Sequence, residues 1–395
     1  MKILYYKFRA ALVTRLLRWI PRQSPLVLKG AGSALALCDQ LAVLGYKKIL
    51  LVTDKVLRDL GVIDDVLGQL EGNGVDVVIY DGVLPDPAFD QVQAGEKLYC
   101  ENHCEAVFGI GGGSVLDAAK MIAMLHTNPG PIKSFEGIQP CKHGGVPLFV
   151  APTTAGTGSE ITLAAIITNP DTHDKLPVVD SKMIPHYVAL DAELMRGMPP
   201  AVTAATGMDA LTHAVESYLS KASSPQTEAQ AVAAVRLVFD NLVRAYRDGD
   251  DLEARDAMAM AAFYAGAAFG KTSVGYVHGI AHQLGRVCGT PHGNANAMVL
   301  PEVLRAYGDC VHQRLAALAR AVDIHTGDDA ELASQFIESI VAMRAQMEMP
   351  TQPRGLKKED IPGITRGALA EAGSLYPVPR YMNAGEISEI VRALV

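Results

Sequence analysis

The sequence predicts an α/β domain followed by an all-helical one, and three observations carry that prediction. From about residue 26 to residue 190, short apolar runs alternate with helix-compatible segments, the pattern of a mostly parallel sheet covered on both faces. After Met198-Pro199-Pro200 the composition turns Ala-rich and helical, with Ser224-Pro225 as an N-cap and first-turn pair, and no convincing strand follows. At 395 residues the chain is too long for one ordinary core. The expected divisions are an extension at 1–24, an α/β domain at 25–197 and a helical domain at 198–395.

The extension is basic and amphipathic. Lys2, Lys7, Arg9, Arg15, Arg18 and Arg22 interleave with Leu4, Phe8, Leu12, Leu16 and Trp19, and no acidic residue precedes Asp39. It lacks the apolar core and small-residue cleavage site of a signal peptide. Two readings stay open: a segment that packs on the body or a neighbouring subunit, or weak membrane-surface contact through residues 1–22.

Strands are expected at Lys48–Thr53, Asp76–Tyr80, Glu105–Ile110, Pro147–Ala151, Ala164–Thr168 and Tyr187–Leu190, with helices at Ser33–Leu44, Phe89–Asn102 and Ser114–His126. Three features of this domain carry chemistry. In Gly111-Gly112-Gly113-Ser114 a strand meets a glycine turn that opens a helix, so bare N–H groups can cradle a pyrophosphate. Asp54 follows a strand end, where a carboxylate binds ribose hydroxyls, repels a 2′-phosphate, or caps the next helix. Thr153-Thr154-Ala-Gly-Thr157-Gly-Ser159-Glu160 offers hydroxyls in a glycine-loosened loop that suits contacts to phosphate, ribose or a carboxamide.

In the helical domain, Asp209 and His213 stand four apart, as do His278 and His282, so each pair shares one helix face. His292 follows in a turn that Pro291 stiffens and where Gly293 allows a positive φ. One carboxylate with three of these imidazoles makes a set of borderline-soft donors for a divalent transition metal.

Composition limits the rest. A net charge of −8 argues against nucleic acid as a partner, and no apolar run reaches membrane-spanning length. The six cysteines form no disulfide framework; Cys100-Glu-Asn-His103-Cys104 lacks the second Cys/His pair of a zinc site, so reduced thiols in a cytoplasmic protein are expected.

The glycine turn, the Thr153–Glu160 loop, Gly207-Met-Asp209-Ala-Leu-Thr-His213, and His278-Gly-Ile-Ala-His282 with Pro291-His292-Gly resemble the iron-containing (group III) alcohol dehydrogenases from about residue 25 onward. The resemblance implies a dehydroquinate-synthase-type fold and NAD-linked oxidation of a primary alcohol or reduction of an aldehyde, with Fe2+ (or Zn2+) as Lewis acid. Carried over by position, the metal ligands are Asp209, His213, His278 and His292, and His282 is a proton-relay group beside them. Cofactor contacts are expected from Asp54, Asp86, Gly112, Gly113, Ser114, Asp117, Thr153, Thr154, Thr157, Ser159, Lys175 and Leu190. Asp86 stands where many relatives carry Asn, and Tyr376-Pro-Val-Pro-Arg380 departs from the usual Asn-Pro-Arg. A polyol dehydrogenase of the same superfamily and a non-catalytic NAD-binding scaffold are the rival readings. Phe263, Phe269, Tyr276 and Cys288 are either substrate-facing or ordinary core, and a homodimer is expected.

Overall fold

The computed structural model describes residues 23–172 and 174–395, so the readings for residues 1–22 lie outside it. The described chain forms an α/β unit ending at Met198 and a helical unit beginning at Pro199.

Nine strands lie in the first unit: β1 (Leu26–Lys29), β2 (Lys48–Val52), β3 (Asp76–Tyr80), β4 (Ala106–Gly111), β5 (Gly137–Ile138), β6 (Leu148–Pro152), β7 (Ala164–Thr168), β8 (Lys175–Val179) and β9 (Tyr187–Leu190). Six form a sheet in the order β1-β9-β6-β4-β2-β3, parallel throughout. The central strands β4 and β6 are buried at every residue, because helices cover both faces. Phe108, Ile110, Phe149 and Ala151 pack there with Leu37 and Leu41 of helix Ser33–Val43.

The six expected strands appear, but β7 belongs elsewhere, in a three-stranded sheet ordered β5-β8-β7. Sequence reading passed over β1, β5 and β8. β8 carries Pro177 at its centre, which argues against a strand on sequence alone. In a parallel sheet all strands end on the same edge, so Asp54 after β2, Gly112 after β4 and Thr153 after β6 emerge in a row from neighbouring strands.

The helical unit contains no strand among its described residues. Its central helix, Pro200–Leu219, starts with Pro at the first helical position and is buried at every residue from Gly207 to Leu219. Helix Pro225–Arg247 opens with a Ser224–Thr227 capping box and packs close, since a Cβ on Gly207 would come within 2.2 Å of Leu242 Cδ1. No helix among the described residues is long and apolar enough to cross a membrane.

Candidate metal centre and dinucleotide-binding turn

The titratable residues buried on the central helix, Asp209, His213 and Glu216, share one stripe along it. Helix Tyr276–Cys288 contributes His278 and His282, and helix His292–Tyr307 contributes His292 at its first position. Pro291 precedes that first turn in an extended conformation. Gly293 acts differently from the turn expected of it: it is helical, and it permits contact. A Cβ there would lie 2.1 Å from the carbonyl oxygen of Ala205, so only glycine lets this helix end approach the central helix and bring His292 to Asp209.

The ligand atoms of Asp209, His278 and His292 all lie within 4.8 Å of one another. Asp209 Oδ1 is 3.6 Å from His278 Nε2 and 3.3 Å from His292 Nε2. Asn296, one helical turn beyond His292, aims its amide nitrogen into the same point, 2.7 Å from Asp209 Oδ1 and 3.2 Å from each of those imidazole nitrogens. His213 lies beside this trio. Its Nδ1 is 3.9 Å from Asp209 Oδ2, and its ring is sandwiched between Phe269 (4.1 Å) and His278 (4.6 Å).

Two buried carboxylates, Asp209 and Glu216, govern the electrostatics. Burial alone would raise the Asp209 pKa, but the charges of His213 and His292 and hydrogen bonds from His278 and His292 hold it well below the usual carboxylate range. Burial pulls His278 down, yet hydrogen bonds to Asp209 and Glu216 and the charges of both outweigh it and raise it to about 9. Glu216 Oε2 is 2.6 Å from His278 Nδ1. A carboxylate only accepts, so Nδ1 carries the proton and Nε2 faces the trio. Oxygen and imidazole donors, buried at Asp209 and His278 and reaching solvent at His292, converge under net negative charge and fit a divalent iron or zinc ion, which would neutralise the site.

His282 stacks on the His292 ring at 5.3 Å and ties its other side into a second network. Its Nδ1 donates to Glu371 Oε1 at 2.6 Å, and Tyr376 Oη donates to the same oxygen at 2.7 Å. These contacts lower the Glu371 pKa against the upward push of burial. Glu216, Asn296, Glu371 and Tyr376 escaped sequence reading. The spacing of Asn296 four after His292, and of Glu216 seven after Asp209, is the signal that places them on the same helix faces.

Of the apolar candidates, Phe269 does lie against the His213 ring, whereas Tyr276 is core, its hydroxyl accepting the Met382 N–H at 3.1 Å.

In the α/β unit, helix Gly113–Thr127 begins with Gly112 as N-cap and has no side-chain cap, so its first N–H groups point outward from the turn. The Thr153 loop lies against this turn. Thr153 N–H donates to Gly111 O at 3.0 Å, Cβ atoms on Gly112 and Gly113 would meet Thr154 at 3.4 Å and Thr157 at 2.6 Å. These glycines keep open a backbone cradle of the kind that suits a pyrophosphate. Ser114 Oγ accepts the Asp86 N–H at 3.3 Å, and Asp86, at φ 56°, pairs with Lys175 at 2.7 Å on the surface.

Other candidates are engaged within the protein. Asp54 Oδ1 caps its helix by accepting the Leu57 N–H at 2.9 Å. Asp117 accepts from Ser159 Oγ at 2.6 Å and from Ile166 N at 2.9 Å, so both residues fix the loop. Lys120, fully buried and also missed, completes that anchor by donating to Ser159 Oγ (2.8 Å), Thr162 Oγ1 (3.1 Å) and Ala164 O (2.9 Å). Leu190 closes β9, its carbonyl accepting the Gly30 N–H at 3.1 Å.

Comparison with known proteins agrees with this architecture. The model of the family described as iron-containing alcohol dehydrogenase matches residues 25–192, and that of the family's C-terminal region matches residues 203–395. Alcohol dehydrogenase 4 of Saccharomyces cerevisiae (strain YJM789) is 40% identical over 352 residues, covering 88% of this chain and 91% of its own. The NAD-dependent methanol dehydrogenase of Bacillus methanolicus is 35% identical, covering 92% and 96%. A crystal structure of 1,3-propanediol oxidoreductase superposes with a TM-score of 0.92 at 37% identity, covering 96% of this chain and all of that one. The chain belongs to the iron-containing alcohol dehydrogenase family.

Proposed function

We propose that the protein is an NAD-linked dehydrogenase of primary alcohols and their aldehydes, with a divalent iron held by Asp209, His213, His278 and His292. The observation that carries this reading is the convergence of the buried Asp209 and His278 with the more exposed His292 on one point. Zinc suits the same donors. When bound, the ion supplies Lewis acidity that eases loss of the alcohol's proton.

The chain's own residues do the rest. Glu216 fixes the ring of His278 and Asn296 steadies Asp209 and His292. His282, with its Nδ1 proton committed to Glu371, offers Nε2 as the base that takes the hydroxyl proton. When bound, NAD would supply the hydride acceptor, so that alcohol and NAD would give aldehyde, NADH and a proton. Gly112, Gly113, Ser114 and Thr157 form the pyrophosphate cradle, Thr153 and Thr154 flank it, and Asp54 selects NAD by repelling a 2′-phosphate. Phe269, stacked on His213, accords with a primary aliphatic or aryl alcohol as substrate.

Residence in the cytoplasm accords with six free cysteines. Assembly as a homodimer is read by sedimentation, and vesicle contact of residues 1–22 by pelleting with anionic lipid. The deciding experiment is elemental analysis after anaerobic purification, together with NAD-linked oxidation of ethanol through octanol. About one iron or zinc per chain is expected at this centre, with that equivalent of metal and all turnover lost in Asp209→Ala and His278→Ala. Full turnover by metal-free protein would end this reading.

A further inference from the structure

A second group of unlike donors lies in the α/β unit. Glu96 and Cys100 sit one turn apart on helix Phe89–Glu101, and His126 lies near the end of helix Gly113–Thr127, which packs against it. Cys100 Sγ is 3.0 Å from Glu96 Oε1 and 3.2 Å from His126 Nδ1, and those two atoms are 3.7 Å apart. The Tyr99 ring packs on His126 at 4.8 Å and fixes its orientation. The Cys100-Glu-Asn-His103-Cys104 run suggests other partners by sequence proximity. Cys100 instead meets a histidine 26 residues away.

We propose that Glu96, Cys100 and His126 form a surface site for a thiophilic divalent cation of the zinc class, separate from the Asp209–His292 centre. The chemistry of the donors is the first argument. One thiolate, one imidazole and one carboxylate is a three-ligand set that leaves a fourth position to water. The dimensions are the second. Tetrahedral zinc with ordinary bond lengths sets its ligand atoms about 3.3–3.6 Å apart, within about half an ångström of the three spacings here. The third is access: Glu96 and His126 are partly exposed, so an ion reaches the site without opening the core.

Burial and the neighbouring Glu96 carboxylate push the Cys100 thiol up to about 11, so it is protonated at neutral pH. Cation binding therefore displaces one proton from sulfur, and affinity rises with pH. A plain hydrogen-bonded cluster is the competing outcome.

Cobalt(II) titration of the full-length protein separates the two outcomes. A thiolate-to-cobalt charge-transfer band reports sulfur ligation, and the Asp209–His292 centre has no sulfur to contribute. The band should appear in the wild type, persist in Asp209→Ala, and vanish in Cys100→Ser. His126→Ala should weaken binding at least about tenfold, the loss that even outer partners of a ligand cause. Competition with zinc should bleach the band, and unfolding curves of the variants matching the wild type would show that the fold is intact. No band in the wild type, or a band unchanged in Cys100→Ser, would overturn the proposal.

Discussion

Glu216 uses both carboxylate oxygens on one neighbouring turn: Oε2 meets His278 Nδ1 at 2.6 Å, and Oε1 accepts the Val277 N–H at 2.8 Å. One side chain thus fixes both the ring and the backbone of a proposed metal ligand. Gly275 leaves room for this carboxylate, since a Cβ there would stand 2.6 Å from Oε1. Glu216→Gln keeps the shape but loses the charge that orients the Nδ1 proton. Metal affinity should fall by about 10–100-fold, the usual effect of an outer partner. Competition with a chromophoric chelator measures it, and unchanged affinity would remove Glu216 from the site.

Gly113 gives a separate test of the cofactor turn. A methyl group there would meet Thr157 at 2.6 Å from Cγ2 and 2.9 Å from Oγ1. Gly113→Ala must push the Thr153 loop away from the helix N-terminus, at a cost of about 1–3 kcal/mol. The Kd for NADH, read by fluorescence, should rise by about tenfold or more, with metal content unchanged. A variant that binds NADH normally would show that the turn does not hold the pyrophosphate.

Asp54 serves two purposes that a single substitution separates. Its side chain caps the helix at Leu57 N, and its charge is proposed to exclude NADP. Asn caps as well as Asp does, without the charge. Asp54→Asn should leave the melting temperature within about a degree, since the cap survives. The ratio of kcat/KM for NADP over NAD should rise by about tenfold, because each 1.4 kcal/mol of removed repulsion is worth that factor. An unchanged ratio would confine Asp54 to capping.

The α/β alternation and the helical second half were legible because short continuous apolar runs, and then apolar spacing of period 3.6, leave their mark on the sequence. Asp209 and His278 stood out because each has a histidine four residues on along one helix face, and His292 because it stands in a Pro-His-Gly turn. What stayed hidden depends on contacts between distant segments. Glu371 reaches His282 across 89 residues, and Lys120 reaches Thr162 across 42. Nothing local distinguishes either from a surface charge. Gly293 was legible as special but for the wrong reason: its need is for the space beside Ala205, which no single-segment pattern encodes.

The His282–Glu371–Tyr376 chain predicts graded losses. Glu371→Gln replaces the charged acceptor by a neutral amide whose NH2 can also face the ring, so the imidazole tautomer is no longer fixed and kcat should fall by about 10²-fold, the lower end of general acid–base catalysis. Tyr376→Phe removes only one donor to Glu371 and should cost less. Metal content should stay constant in both, since neither touches Asp209, His278 or His292. His282→Ala with wild-type kcat and pH profile would dismiss the relay.

Glu160 makes the stability of the α/β unit depend on pH. Only 2% of it is exposed, and burial, outweighing a backbone hydrogen bond and the attraction of Lys120, raises its carboxyl to about 7. The folded chain therefore keeps a proton that the unfolded chain releases above its ordinary value of 4.5. The contribution is complete below that value and is lost as pH rises through about 7, with a ceiling of about 3 kcal/mol. Lys120, lowered by burial to about 8 from 10.5, acts in the opposite sense, and stability recovers as pH climbs through that interval. Glu160→Gln should abolish the decline while leaving the alkaline recovery, so the variant gains on the wild type between acid and neutral pH. Thermal melts at constant ionic strength read the difference directly. A wild-type-minus-variant gap that stays constant across the range would mean that Glu160 is already ionised within the fold, held as a carboxylate by Lys120.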